Sequence, residues 1–127
     1  MKTSELTGAA LDWAVAKAEG LGYRYDEKYG PMCFRPSTVR GVVAWDSAPL
    51  PYSTDWAHGG PIIAREKLSL DPVLVNGDWF GDWRSVCLSW EGSTHSDMTG
   101  PTPLVAAMRC FVVSKLGNEV DVPKEPL

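Results

Sequence analysis

The sequence predicts an α+β fold, a single-domain sandwich in which two or three helices cover a mostly antiparallel sheet. Helical patterning occupies about residues 4–19, 53–67 and 102–116, and short runs rich in β-branched and aromatic residues lie between these segments. A length of 127 residues suits one compact domain with a real core and is too short for two. Hydrophobic residues at 44% and charged residues at 22% are ordinary for a globular chain. The domain is predicted over residues 1–117, with a polar tail at 118–127 expected to fray.

In the first helix, Glu5, Asp12 and Glu19 recur every seven residues and are expected to share one polar stripe. Leu6, Ala10, Leu11, Trp13, Ala14, Val15 and Ala18 cover most of the remaining circumference, which predicts burial against more than one neighbour. Gly20 and Gly22 then stop the helix. Strands are predicted at "YRY" (23–25), "MCFR" (32–35) and "VRGVVAW" (39–45). Pro31 and Pro36 bracket the second, which should be short or lie at an edge. Val39, Val43 and Trp45 share a face of the third, with Gly41 between them, and "APLPYS" is a connector.

The second helix opens in "YSTDWAHGGPII" (52–63). Ser53 is its predicted N-cap, Asp55 complements the helix dipole, and Trp56, Gly60, Ile63 and Ala64 form the predicted packed face. Gly60 is the expected point of close approach, and Pro61 predicts a kink or restart at Gly60-Pro61. His58 and Arg65 fall on the wetter side.

Asn76-Gly77 after "VLV" is a type I′ hairpin signal. "NGDWFGDW" is expected to be an aromatic loop and "EGSTHSDMTG" a polar one. Between them "RSVCLSW" alternates, with Val86, Leu88 and Trp90 on one face and Ser85, Cys87 and Ser89 on the other. The last helix has Thr102 as N-cap, Pro103 at its first position and Gly117 just past its end. Its body, "LVAAMRCFVVSKL", is apolar nearly all round, so it should be central.

Composition narrows the function classes. Net charge is −4 and the twelve basic residues are scattered, which argues against binding duplex nucleic acid. No apolar run approaches the roughly 18 residues of a membrane span, and the start lacks the apolar core of a signal peptide, so a cytoplasmic protein is expected. Cys33, Cys87 and Cys110 are odd in number and widely spaced, which suits free thiols. With His58 and His95 they show none of the paired spacing of structural zinc, and neither metal nor cofactor is expected. Support for catalysis is thin. Ser53, Asp55 and His58 lie close in sequence without a G-x-S-x-G elbow, and His95 with Asp97 offers an acid–base pair in a loop.

Binding residues are better represented. Arg109 sits mid-helix among apolar neighbours, either clamping a carboxylate or phosphate or, more commonly, held in an ion pair such as one with Asp55, or snorkelling outward. Thr99, Gly100 and Thr102 precede a helix N-terminus, where an anion can sit, although capping alone accounts for them. Trp79 and Trp83 either stack on a nucleobase or partner surface, or fold back as a lid over the core. Asp55 and Trp56 would lie at the rim of such a pocket. Trp13, Trp45 and Trp90 fall on apolar faces and read as core.

"STDWAHGGPIIARE", "TGPTPLVAAMRC" and the N-terminal "ELTGAALDWAVAKAEG" resemble the small phage NinX-like proteins. They also look related to phage proteins described as α/β/α sandwich domains. The resemblance implies a phage or prophage accessory protein acting in the host bacterial cytoplasm, and it carries over no catalytic residues. The leading expectation is a non-catalytic binder that sequesters a small anionic, nucleotide-derived ligand to counter host defence. A homo-oligomer is expected with it, because so small a domain offers little concavity for a nucleotide. The second expectation is a protein-interaction module docking on a host or phage enzyme through the Trp-rich loop. The third is a small hydrolase or nuclease using Asp55, His58 or His95.

Overall fold

The computed structural model describes residues 2–20, 23–28, 30–36, 43–46, 50–88 and 95–121. Among them a short 3-10 turn at Thr3–Glu5 leads into α1 (Gly8–Ala18), followed by β1 (Tyr23–Asp26), β2 (Gly30–Pro36) and β3 (Val43–Asp46). Then come α2 (Trp56–Glu66), β4 (Asp71–Val75), β5 (Asp78–Leu88), β6 (His95–Gly100) and α3 (Pro103–Leu116). The α+β class is as predicted. The strands divide into two antiparallel three-stranded sheets, ordered β1-β2-β3 and β4-β5-β6.

α3 organises the core. It packs on β5 and β6 and also on α1 and α2. Every residue from Leu104 to Val112 is buried, so no side of the helix is free to be polar. Thr102 Oγ1 accepts from the Val105 N–H at 3.1 Å, and Gly117 ends the helix at φ +88°. Capping, proline and glycine placement thus match their sequence signals.

The predicted polar stripe of α1 is corrected at Asp12, which is buried and accepts the Ser53 backbone N–H at 2.8 Å. Seven-residue spacing places Glu5, Asp12 and Glu19 in line but cannot say which of them meets another segment. Burial raises the Asp12 carboxyl above its ordinary 3.8, and hydrogen bonding from Ser53 offsets only part of that effect. A carboxyl that holds its proton more tightly when folded gives its full stability below its ordinary pKa. That stability is lost as pH rises through the raised folded value. Asp12→Asn keeps an acceptor for Ser53 and is therefore expected to flatten the decline in melting temperature from pH 4 upward. Parallel melting-pH curves for the two proteins would remove Asp12 as the cause.

The same bond relocates the start of α2. Ser53, expected as the cap, is buried with its N–H on Asp12. Asp55 is the N-cap instead, accepting the Ala57 N–H at 2.9 Å. The helix then runs through Pro61 without the expected restart. The bond that proline forfeits is the one to the Ala57 carbonyl, and both residues are exposed, so water can replace it. The packed face is also corrected. Gly59 and Ile62 are buried, whereas Trp56 is 51% exposed and Ala64 is exposed.

Two strand expectations change. β2 is the central strand of its sheet and seven residues long, with its prolines near its ends, so the residues between them carry the ladder. "NGDWFGDW" and "HSDMTG" are not loops: the aromatic run forms the first half of β5, and β6 pairs with β5 from Trp83↔Gly100 to Leu88↔His95. Asn76 (φ +53°) and Gly77 (φ +85°) make the predicted I′ turn. Residues 37–42, with Val39 and Gly41, lie outside the described residues, as do Gly22, Ser89 and Trp90.

The tail expected to fray enters the fold as far as Val120. The Thr3 N–H donates to the Asn118 carbonyl at 2.8 Å, the Thr3 hydroxyl to the Gly117 carbonyl at 2.7 Å, and Val120 is buried in the core.

Candidate interaction site

Alternation along β5 places the site. Trp83, Ser85 and Cys87 share one face, and opposite them on β6 stand Gly100, Met98 and Ser96. Cys87 and Met98 pack on the core and Ser85 is fully buried, so this is the face that α3 covers. The expected sidedness of "RSVCLSW" gains a direction here: the small polar members, Ser85 and Cys87, face the helix. Small side chains let α3 lie close to the sheet. Cys110, also buried there, donates its thiol to the Ser96 carbonyl, and burial pushes its pKa up to about 11, as suits an inert thiol.

β4 and the first half of β5 continue this covered face beyond the start of α3. Pro72 pairs with Trp83 and Leu74 with Trp79, and the register shift between them leaves two extra residues on β5. Gly81, at φ +99°, lies in that bulge. The bulge returns Trp79 to the side of Trp83, and the rings meet edge to face with centroids 5.7 Å apart. The Trp79 indole N–H donates to the Asp82 carbonyl at 2.9 Å, holding its ring over the bulge. Pro72, Leu74, Trp79 and Trp83 thereby line a shallow groove of about 300 Å³. Leu74 is 57% and Trp79 53% exposed, so this is not a lid folded onto the core.

Arg109 is tied to two backbone carbonyls. It is 9% exposed, and it donates Nε–H to the Leu6 carbonyl at 2.8 Å and Nη1–H to the Thr99 carbonyl at 2.9 Å. Neither the suggested pair with Asp55 nor outward snorkelling occurs. Burial lowers the pKa of its guanidinium. Gly100 has a packing role: a Cβ there would stand 2.8 Å from the Ala106 nitrogen, so glycine lets β6 pass against the first turns of α3. Thr102 caps that helix. Pro103 has no N–H, and the Val105 and Ala106 N–H groups are taken by Thr102 itself. Few donors at this helix start are left for an anion.

Asp55 and Trp56 sit together at the start of α2. Asp55 Oδ2 and His58 Nδ1 are 3.1 Å apart, and the Ala57 N–H, then His58, hold the Asp55 pKa down. That arrangement is half of an acid–base dyad, but Ser53, the hydroxyl grouped with it in the sequence, is buried, with its backbone N–H on Asp12. Of His95 only the backbone is described, in β6. Among the described residues no cluster of three or more His, Cys, Asp or Glu side chains is arranged to hold a metal, and no helix is long and apolar enough to cross a membrane.

The structure therefore joins Arg109, Thr99, Gly100, Thr102 and Trp83 around the junction of β6 and α3, with Trp79 beyond them. Pro72 and Leu74 were missed as site residues. Their signal was the alternation that aligns them with Trp79 and Trp83 once the aromatic segment is a strand.

Fold and site define a small α+β protein with an open aromatic groove at the end of its sheet. The chain belongs to the family described as bacteriophage P22, NinX, whose match spans residues 2–115. No curated protein matches it.

Proposed function

We propose that this phage-family protein is an interaction module that docks on a host or phage protein through the groove of Pro72, Leu74, Trp79 and Trp83. The observation that carries this reading is an apolar face of a sheet, continuous with the core, left uncovered beyond the start of the helix that covers the rest. Large exposed aromatic side chains on a rigid strand are what binding hot spots are made of. The nucleotide-sequestration expectation retains only its aromatic part, because two guanidinium nitrogens of Arg109 are already committed to backbone carbonyls.

Because Trp79 is half exposed, Trp79→Ala should cost little stability, within about 1 kcal/mol. The same substitution, alone or with Trp83→Ala, should remove a specific partner from tagged protein recovered from infected cells. An identical partner set for wild type and both variants would sink the docking proposal. A thermal-shift panel of cyclic and ADP-ribose-type nucleotides tests the sequestration reading in parallel. Stabilisation by a nucleotide that Trp79→Ala abolishes would transfer the groove to a small ligand.

A further inference from the structure

Away from the groove, we infer that α2 is a gate on the domain: it opens and closes as a unit while the rest stays folded, and Arg65 is its latch. Only Gly59 and Ile62 of its eleven residues are buried, against six of eleven in α1 and nine of fourteen in α3. Apolar burial therefore holds α2 far less firmly than its neighbours. Both ends of the segment are pinned independently of the helix. The Ser53 N–H is on Asp12, Leu68 is buried, and Ser69 makes two hydrogen bonds with Val86 of β5, at 3.0 and 2.9 Å. The chain between those anchors can part from α3 without moving them. Few buried contacts between fixed ends are the mark of a segment that opens locally.

What closes it is ionic. α2 runs parallel to α3: Gly59 meets Leu104, the Arg65 guanidinium lies over the Phe111 ring at 5.6 Å, and Glu66 pairs with Lys115 at 3.4 Å. All three nitrogens of Arg65 are used. Nη1 and Nη2 donate to the two carboxylate oxygens of Glu19, the first at 3.2 Å, and Nε donates to Glu66 at 2.9 Å. A single exposed ion pair contributes little, but a bidentate fork within a network contributes more. Glu19 is the C-cap of α1 and Glu66 the last residue of α2, so each carboxylate stands at the negative end of a helix dipole. Without Arg65, Glu19 has no cation among the described residues and Glu66 has only Lys115. Opening breaks the bonds to Glu19 and Lys115 together and uncovers Leu104 and Phe111, both buried when α2 is closed. Salt screens such contacts, so the latch loosens as ionic strength rises.

The test is native-state amide exchange of the full chain, followed by NMR at sub-denaturing urea. Amides from Ile62 to Glu66 are expected to share one rate, faster than that of Ala107 to Val112 in α3. Their dependence on urea should be shallow, because little surface is exposed when α2 opens alone. Raising sodium chloride from about 20 mM to about 1 M should speed them several-fold, as the Debye length shrinks to roughly 3 Å. Arg65→Met should speed them about tenfold at low salt and leave little further response to salt. Arg65→Lys should fall between, since an ammonium keeps the charge without the fork. Exchange of Ile62 to Glu66 at the rate and urea slope of α3 would show α2 opening only with the whole domain. A salt response in Arg65→Met as large as in the wild type would remove Arg65 as the latch. Either outcome overturns the inference.

Discussion

Arg109→Met is expected to lower unfolding free energy by roughly 2–4 kcal/mol, since a hydrogen bond from a charged donor contributes about 1.5–3 kcal/mol and part of that is offset by relief of guanidinium desolvation. Methionine fills much of the same space, so the loss is chiefly polar. The two acceptors belong to distant parts of the chain: the Leu6 carbonyl in the N-terminal turn and the Thr99 carbonyl in β6. Both would be left facing an apolar thioether. Amide exchange should therefore quicken in the N-terminal turn and in β6, not only globally. Arg109→Lys should recover part of the loss, because one ammonium lacks the planar fork that makes both bonds at once. Urea denaturation checks the size. A loss under about 1 kcal/mol would mean that water satisfies both carbonyls in the variant and that the guanidinium is no structural tie.

Gly59→Ala should destabilise the fold by about 1–3 kcal/mol or more, the usual range for forcing a group into a packed site. A Cβ at Gly59 would lie 2.5 Å from the Tyr52 carbonyl oxygen and 2.6 Å from Leu104 Cδ1. Leu104 can turn away at some cost, but the carbonyl is backbone and can move only with its loop. The neighbouring substitution is the control. Nothing lies within 4 Å of a Cβ at Gly60, so Gly60→Ala should be neutral or gain up to about 1 kcal/mol from helix propensity. Thermal melts of the two variants should therefore separate, with only Gly59→Ala falling below the wild type. Equal melting temperatures would show that α2 does not rest on α3 at Gly59.

These adjacent glycines also mark how far the fold was legible. Helical periodicity announces an amphipathic α2, but the stretch offers two apolar faces offset by one residue, and Gly59-Gly60 serves either. The choice came from the buried Asp12–Ser53 contact, which moves the cap to Asp55. At the groove, a run of Asp and Gly around aromatics has the composition of a loop, and only pairing with β4 and β6 makes it a strand. Trp79 and Trp83 were visible as candidates from their setting alone. Pro72 and Leu74 were not, because their side is decided by the register.

The sequence by itself determined those features whose physics is local. These include the α+β class, the central α3 with its Thr102 cap and Gly117 stop, the Asn76-Gly77 turn, and family membership through motifs near both ends. Each depends on backbone preferences or on an apolar pattern within one segment. Tertiary structure alone decided which side of β5 faces α3, which glycine admits a neighbour, where the Arg109 donors go, and that the hairpin extends past its covering helix. Those outcomes depend on contacts between residues far apart in the chain, as between Arg109 and Leu6 or Asp12 and Ser53, and no local propensity encodes which distant partner will arrive.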